Sequence, residues 1–309
     1  ASDIPGSSDI GPVYAGDPLI ASDTVEFRGQ ILFAVAAVSN KAALRAARLA
    51  EIEYEMLPAV LDSQTGHELE SYVRPMHCQR RGDANAAIAE APMKLEGAFQ
   101  SGGQEQMYLE GQVSLAIPDE DGKMLVYSST QHPSEGQKLV AEVLNIPLSH
   151  VTVQVRRMGG AFGGKETNAN QWACLAALLA HKTSRPVRLK LSRAEDFILT
   201  GKRHPFLSKY EVGFSPSGEI LGLEIDLFGD CGMSPDLSDA IVDRAMFHID
   251  NCYYLASVTV RGYRVKTNKV SNTAFRGFGG PQGILAIENV IEEIASATGL
   301  DPLVVRQRN

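Results

Sequence analysis

The stretch Gly159-Gly160-Ala161-Phe162-Gly163-Gly164-Lys165-Glu166 constrains this chain more than any other. It lies between Val151 to Arg157, whose alternation reads as a strand, and Gln171 to Ala180, whose apolar stripe reads as a helix. Strand, glycine loop and helix together make a cradle for an anion or a cofactor. Glycine lets backbone approach a ligand closely, and a helix start offers unpaired N–H groups and a positive dipole end. Gly159, four residues, Gly164 and Lys165 fit a phosphate loop up to its last position. There Glu166 replaces the hydroxyl residue that would hold magnesium, and a carboxylate repels phosphate.

Two classes of partner are disfavoured by charge. A net charge of -8 argues against a nucleic-acid surface and against anionic membranes. No apolar run approaches the roughly 18 residues of a membrane span, and the first residues lack the pattern of a secretion signal, so a cytoplasmic protein is expected. Cys78, Cys174, Cys231 and Cys252 are widely spaced with no C-x-x-C pair, so neither zinc nor an iron–sulfur cluster is expected on this chain. They read as reduced, mostly buried thiols. The chain starts at Ala1, stops at Asn309 after a charged helical segment, and looks cut from something longer.

In order, residues 1 to 30 read as loops. Ile31 to Val38 as a strand, a helix from Lys41 to Ala50 capped by Asn40, and a strand from Glu53 to Val60 make a small βαβ unit. No period survives from residue 61 to 92, which reads as a linker. Strands follow at 94–100, 107–117 and 123–130, then a helix with a capping box of Ser134 and Gln137. The strand at 151–157, the glycine loop, the helix and a strand at 186–191 complete a βαβαβ succession. Parallel strands would bring Gln131-His132-Pro133 and Gly159 to Glu166 out at one carboxyl edge. Beyond it, 210–214 and 220–228 read as a hairpin, 237–248 as partly helical and 258–265 as a strand. A second glycine cluster, Ala274-Phe275-Arg276-Gly277-Phe278-Gly279-Gly280, opens a helix from Pro281 to Gly299, and Asp301-Pro302 opens the last one.

The two clusters share a form, Gly-Ala-Phe-Gly-Gly and Arg-Gly-Phe-Gly-Gly, each opening a helix, and the pair suits a large ligand with anionic groups. In sequence, 157–166 and 273–282 closely resemble the signature loops of the xanthine dehydrogenase and xanthine oxidase family of molybdenum hydroxylases. Gly103 to Glu110, Ser129-Thr130-Gln131, Gly201 to Phe206 and Asp243-Arg244-Ala245 support the resemblance, which covers nearly the whole chain.

The resemblance implies an α+β chain: the end of an α/β hammerhead region at 1–60, the linker at 61–92, and the first half of a molybdopterin-binding domain at 93–309, with mixed β-sheets and flanking helices. It implies that Gln131 hydrogen-bonds an oxygen ligand of molybdenum, that the backbone of Phe162 meets the same ligand set with Gly163 beside it, and that Arg276 holds cofactor. The substrate residues carry over as Glu166, Arg244 and Phe278. The implied reaction hydroxylates an electron-poor C–H carbon of a purine, hypoxanthine or xanthine, with water-derived oxygen. Electrons then pass through iron–sulfur clusters to flavin, with FAD and 2Fe-2S in partner domains or subunits of an assembly expected to be homo-oligomeric. Physically, a carboxylate at 166 can accept hydrogen bonds from purine ring N–H groups, Arg244 can stabilise charge spreading onto a purine oxygen, and Phe278 offers a face to a flat heterocycle.

The family's general base is a glutamate in the second half of the molybdenum domain, and no segment here matches its motif. The resemblance therefore places no catalytic base on this chain, which alone is expected neither to hold the cofactor firmly nor to turn over. Three other readings stand beside this one: an aldehyde- or N-heterocycle-oxidising relative, a non-catalytic assembly domain, and a phosphate-loop nucleotide binder. His132, His204 and His248 read as structural, and Glu195-Asp196 as a solvated face.

Overall fold

A computed structural model describes residues 2–309. It contains helices α1 (Asn40–Ala47), α2 (Ser63–Glu68), α3 (Ala84–Glu90), α4 (Pro133–Leu144), α5 (Ala169–Thr183), α6 (Arg193–Leu199), α7 (Ser238–Phe247), α8 (Gly280–Thr298) and α9 (Pro302–Arg308). Its strands are β1 (Tyr72–Arg81), β2 (Met93–Ser101), β3 (Val113–Pro118), β4 (Met124–Ser128), β5 (Val151–Gln154), β6 (Val187–Lys190), β7 (Phe206–Phe214), β8 (Ile220–Gly232) and β9 (Val258–Lys266). They form two mixed sheets, a four-stranded one ordered β5-β4-β3-β6 and a five-stranded one ordered β1-β9-β8-β7-β2. The α+β class expected from the sequence is the one observed.

In the smaller sheet β4 and β5 pair in parallel across α4, as a strand–helix–strand crossover requires. The antiparallel β3 lies between β4 and β6, so the expected βαβαβ run keeps its strand directions while one strand is inserted into it. Helices α4 and α5 cover this sheet with Leu139, Val143, Trp172 and Leu175, and Ile10 and Leu19 of the N-terminal segment join their core. The larger sheet packs its apolar face on α7 and α8, where Val242, Met246, Ile287, Val290 and Ile294 meet Val212, Leu223 and Ile225.

Several local readings need correction. Residues 61–92 are not a linker: they carry α2, β1 and α3, and β1 pairs antiparallel with β9 as an edge of the larger sheet. Its period is invisible because β1 is exposed over most of its length, and Pro75 falls where the register shifts between Arg74 and His77. An edge or bulge is where a strand tolerates proline. Ile31 to Val38 and Glu53 to Val60 form no strands, since an apolar run becomes a strand only when a neighbour takes its hydrogen bonds. Of that expected unit only α1 forms, capped by Ser39 rather than Asn40 and burying no residue.

Of the expected strand at 107–117 only Val113 onward is one, and Met107 has a left-handed φ of 52°. The capping box of α4 does not form: Pro133 occupies its first turn, and Gln137 Nε2 donates instead to the carbonyls of Leu148 and Val151. Asp196 does not face solvent. It is buried and accepts from Tyr108 Oη at 2.5 Å, while Glu195 completes a capping box with Ser192. Cys174 and Cys231 are buried, but Cys78 and Cys252 are exposed.

Candidate functional site

Gln131 follows β4 and the first glycine loop follows β5, so the parallel pairing brings both to one sheet edge. There they bond reciprocally. The Gln131 N–H donates to the Lys165 carbonyl at 2.9 Å, and Gln131 Oε1 accepts from the N–H groups of Gly163 at 3.0 Å and Lys165 at 3.3 Å. An amide side chain whose oxygen is occupied can only donate with its other end. Gln131 Nε2 has no protein partner among the described residues, nor has the backbone N–H of Phe162, whose φ is 55°. The Phe162 carbonyl accepts from the N–H of Arg276 at 3.0 Å, which ties the two glycine loops together. Gly163, at φ 100°, allows the contact, because a Cβ there would lie 2.6 Å from the Ala274 carbonyl oxygen.

Lys165 decides against the phosphate-loop reading. It is fully buried, and its Nζ donates inward to the Glu110 carbonyl at 2.6 Å and to Ser129 Oγ at 2.7 Å, 4.6 Å above the Tyr108 ring. The Glu110 carboxylate accepts from the Gly159 N–H and from Ser129 Oγ. Burial raises its pKa, but these bonds and the charge of Lys165 outweigh that and hold the carboxyl below its ordinary value. The Lys165 side chain and the N–H groups of Gly159, Gly163 and Lys165 are thus spent on holding the loop rather than cradling phosphate.

The second cluster reverses chain direction on left-handed residues, Gly277 at 99°, Phe278 at 51° and Gly279 at 97°. It rests directly on α7: a Cβ at Gly279 would lie 2.0 Å from the Ile241 carbonyl oxygen, and one at Gly280 would lie 3.4 Å from the His248 ring. Arg244 therefore sits on the helix beneath this loop. It is exposed and makes no ion pair among the described residues, while its carbonyl contacts His248 Nδ1 at 2.8 Å. Arg276 is exposed and Phe278 half-buried.

Glu166 ends the first loop half-buried, with no side-chain hydrogen bond or ion pair among the described residues. Burial raises its pKa, His132 opposes the rise, and Glu135 adds to it. His132 lies 3.3 Å from Glu135, which also accepts from Asn170 Nδ2 at 2.7 Å. His204 is inaccessible, 2.7 Å from Ser238 Oγ, and burial depresses its pKa to about 4.

The structure thus joins Gln131, Phe162, Gly163 and the backbone of Arg276 in one bonded set, with Glu166 on the same loop. Phe278 and Arg244 belong to the second loop and its supporting helix, with no direct bond to Glu166. Sequence reasoning gave no role to the residues that hold these loops, although Gln106 and Arg203 lie in the segments 103–110 and 201–206 that support the resemblance. Arg203 donates to the Arg276 carbonyl at 2.9 Å and lies 4.0 Å over the Phe275 ring; Gln106 donates to the Ala274 carbonyl and Gln112 to the Gly164 carbonyl, each at 2.9 Å. Gln106 and Gln112 lie outside any helix or strand, so no periodicity marks them.

Residues 67–309 match the molybdopterin cofactor-binding domain family, and residues 1–58 match the aldehyde oxidase and xanthine dehydrogenase a/b hammerhead domain. The chain belongs to the molybdopterin cofactor-binding domain family. The chain is 42% identical to the xanthine dehydrogenase/oxidase of Gallus gallus over all of its length and 23% of that relative's. To the xanthine dehydrogenase of Dictyostelium discoideum it is 40% identical, again over all of its length and 23% of the relative's. It therefore spans about a quarter of the curated relatives it matches. Among solved structures, the aldehyde oxidoreductase of Desulfovibrio gigas superposes at a TM-score of 0.89 and 26% identity, covering 100% of this chain and 36% of that one. Quinoline 2-oxidoreductase of Pseudomonas putida gives 0.85 and 28%, covering 95% and 39%.

The residues present fit the cofactor that the family name implies. Gln131 Nε2 and the Phe162 N–H are donors without a protein partner among the described residues, and donors suit oxygen ligands of a metal. Among the described residues no helix is long and apolar enough to cross a membrane.

Proposed function

We propose that this chain supplies one wall of the active site of a molybdenum hydroxylase that oxidises a purine such as hypoxanthine or xanthine. The observation that carries the proposal is the Gln131 amide, pinned by two loop N–H groups so that only its Nε2 donor is left to meet a ligand. When bound, the molybdenum cofactor would supply the two-electron oxidation chemistry. Gln131 and the Phe162 N–H would orient its oxygen ligands, with Gly163 holding the loop close and Arg276 adding a cation at the wall's edge.

On the substrate side, Glu166 and Arg244 are an acid and a base left unpaired among the described residues. A purine would join them: Glu166 hydrogen-bonds its ring nitrogens, Arg244 stabilises charge developing on its oxygen, and Phe278 packs on its plane. The term from Arg244 accelerates the reaction only because it grows in the transition state. The proton-abstracting carboxylate, the second half of the molybdenum domain, and iron–sulfur and FAD parts would come from outside this chain. We assign residues 1–60 to the hammerhead part and place the homo-oligomeric assembly in the cytoplasm, in keeping with the acidic balance and free thiols.

In the assembled enzyme, Glu166→Ala and Arg244→Ala should each lower kcat/KM for xanthine by two or more orders of magnitude, the scale of losing one aimed electrostatic contact. Aldehyde oxidation should be spared. Undiminished xanthine turnover in both variants would overturn the purine assignment and favour the aldehyde or N-heterocycle chemistry named for the two structural neighbours.

A further inference from the structure

Behind Arg244 lies a caged cation that the proposed site does not itself use. Arg264, on β9, is completely buried. Its Nε donates to Asp239 Oδ1 at 2.8 Å, its Nη1 to the Gly262 carbonyl at 2.6 Å, and its Nη2 to Asp243 Oδ1 and to His77 Nδ1. Tyr14 Oη adds a bond to Asp239 Oδ2 at 3.1 Å. His77, Asp239 and Asp243 hold ligand atoms within 4.8 Å of one another, the geometry of a metal triad. The guanidinium, bonded to all three, supplies positive charge there, and Arg74 Nε, 3.8 Å from Asp239 Oδ2, adds a second cation, so the two carboxylates are already answered by charge from the protein.

Asp239 and Asp243 are one turn apart on α7 and share a face. Ile241 and Ala245, on the opposite face, take the second glycine loop and Gly283 of α8 at their backbone atoms. Helix α7 is therefore held between a buried guanidinium and the loop that carries Phe278. It lies close to β9 because Gly262 has no side chain; a Cβ there would come within 2.5 Å of Met246 Sδ. Arg244 follows Asp243 directly and projects about 100° further round the helix.

We infer that Arg264 is a positioning residue: by holding Asp239 and Asp243 it sets the depth and rotation of α7, and so the place from which Arg244 addresses substrate. This rests on the purine reading above. A planar fork with a donor on each nitrogen suits the task, since a lysine could not hold both carboxylates and the Gly262 carbonyl in one plane.

The test uses the assembled molybdenum enzyme carrying Asp243→Asn, Arg264→Met, Arg244→Ala, and Arg244→Ala with Asp243→Asn. Asp243 is partly exposed, so its asparagine variant keeps the experiment informative if Arg264→Met does not fold. Asp243→Asn should lower kcat for xanthine roughly 10- to 100-fold, the scale of a displacement near 1 Å, with little change in KM. The double variant should lose no more than Arg244→Ala alone, because the two act through one group. Amide hydrogen exchange in α7 should quicken in Asp243→Asn and not in Arg244→Ala. Loss of turnover in Arg244→Ala with normal turnover and exchange in Asp243→Asn would overturn the positioning role alone, as would multiplicative loss in the double variant. Full xanthine turnover in Arg244→Ala would overturn the purine reading and this role with it.

Discussion

Replacing Gly163 by alanine measures how tightly the two glycine loops are joined. The new Cβ would lie 2.6 Å from the Ala274 carbonyl oxygen, 2.7 Å from its carbon and 3.0 Å from the Phe275 nitrogen, all backbone atoms that cannot rotate away. To restore ordinary contact near 3.4 Å the loops must part by roughly 0.8 Å. That would stretch the 3.0 Å bond from the Arg276 N–H to the Phe162 carbonyl beyond useful range, at a cost of about 1 kcal/mol. Overpacking adds about 1–3 kcal/mol. Gly122 is the internal control: it too has positive φ, 71°, but a Cβ there meets nothing within 4 Å. Left-handed strain, about 1–2 kcal/mol, affects both and is greater at Gly163, whose φ of 100° lies further outside the range open to side chains than the 71° of Gly122. Gly163→Ala should therefore be less stable than Gly122→Ala by about 2–4 kcal/mol in urea unfolding. A difference under about 0.5 kcal/mol, the usual scale of a neutral surface change, would show that the loops are not in firm contact.

Two further outcomes follow from buried charges. Lys165→Met should destabilise the chain by about 3 kcal/mol in the same assay, the low end for breaking a buried pair because Glu110 is partly exposed; unchanged stability together with lost ATP binding would restore the phosphate-loop reading. The carboxyl of Asp17 is pushed up to about 7, by burial first and then by the charges of Asp236 and Asp9. A raised carboxyl pKa favours the neutral form, so its contribution is full below about 3.8 and is lost as pH rises through about 7. Thermal stability should decline across that window and Asp17→Asn should flatten the decline; an identical slope in both proteins would refute the assignment.

How much was legible in the sequence depended on what each residue packs against. Helix α8 was readable because Ile287, Val290, Ile291 and Ile294 face one core and Gly299 stops the helix in a left-handed conformation. The glycine loops were readable because their local conformation needs glycine whatever surrounds them. Strand β1 was not, since an edge exposed over most of its length carries no alternation. The extended runs at 31–38 and 53–60 misled for the opposite reason: Val38, Tyr54, Met56 and Leu57 are apolar yet exposed, and composition alone cannot distinguish a buried run from one without a partner in this chain. Arg203, Gln106 and Gln112 are bound to the loops by contacts across the chain, which no local pattern encodes.

Lys165 and Glu166 show why neighbouring residues in one motif must be read separately. Both are charged and both follow the same glycines, yet one turns inward to four protein groups and the other has no partner among the described residues. A buried cation with satisfied bonds fixes the loop before any ligand arrives, so little of the ligand's binding energy is lost to ordering it. A half-buried carboxylate with none costs stability in its charged form, and the fold keeps that cost at the loop's outer end. On the proposed function, chemistry would fall to groups without a partner among the described residues: Gln131 Nε2, the Phe162 N–H, Glu166 and Arg244. The supporting role falls to Lys165, Glu110, Arg203 and Arg264, whose polar groups are turned inward. Exchanging the two classes, by pairing Glu166 with a new internal cation, would stabilise the loop and remove the site.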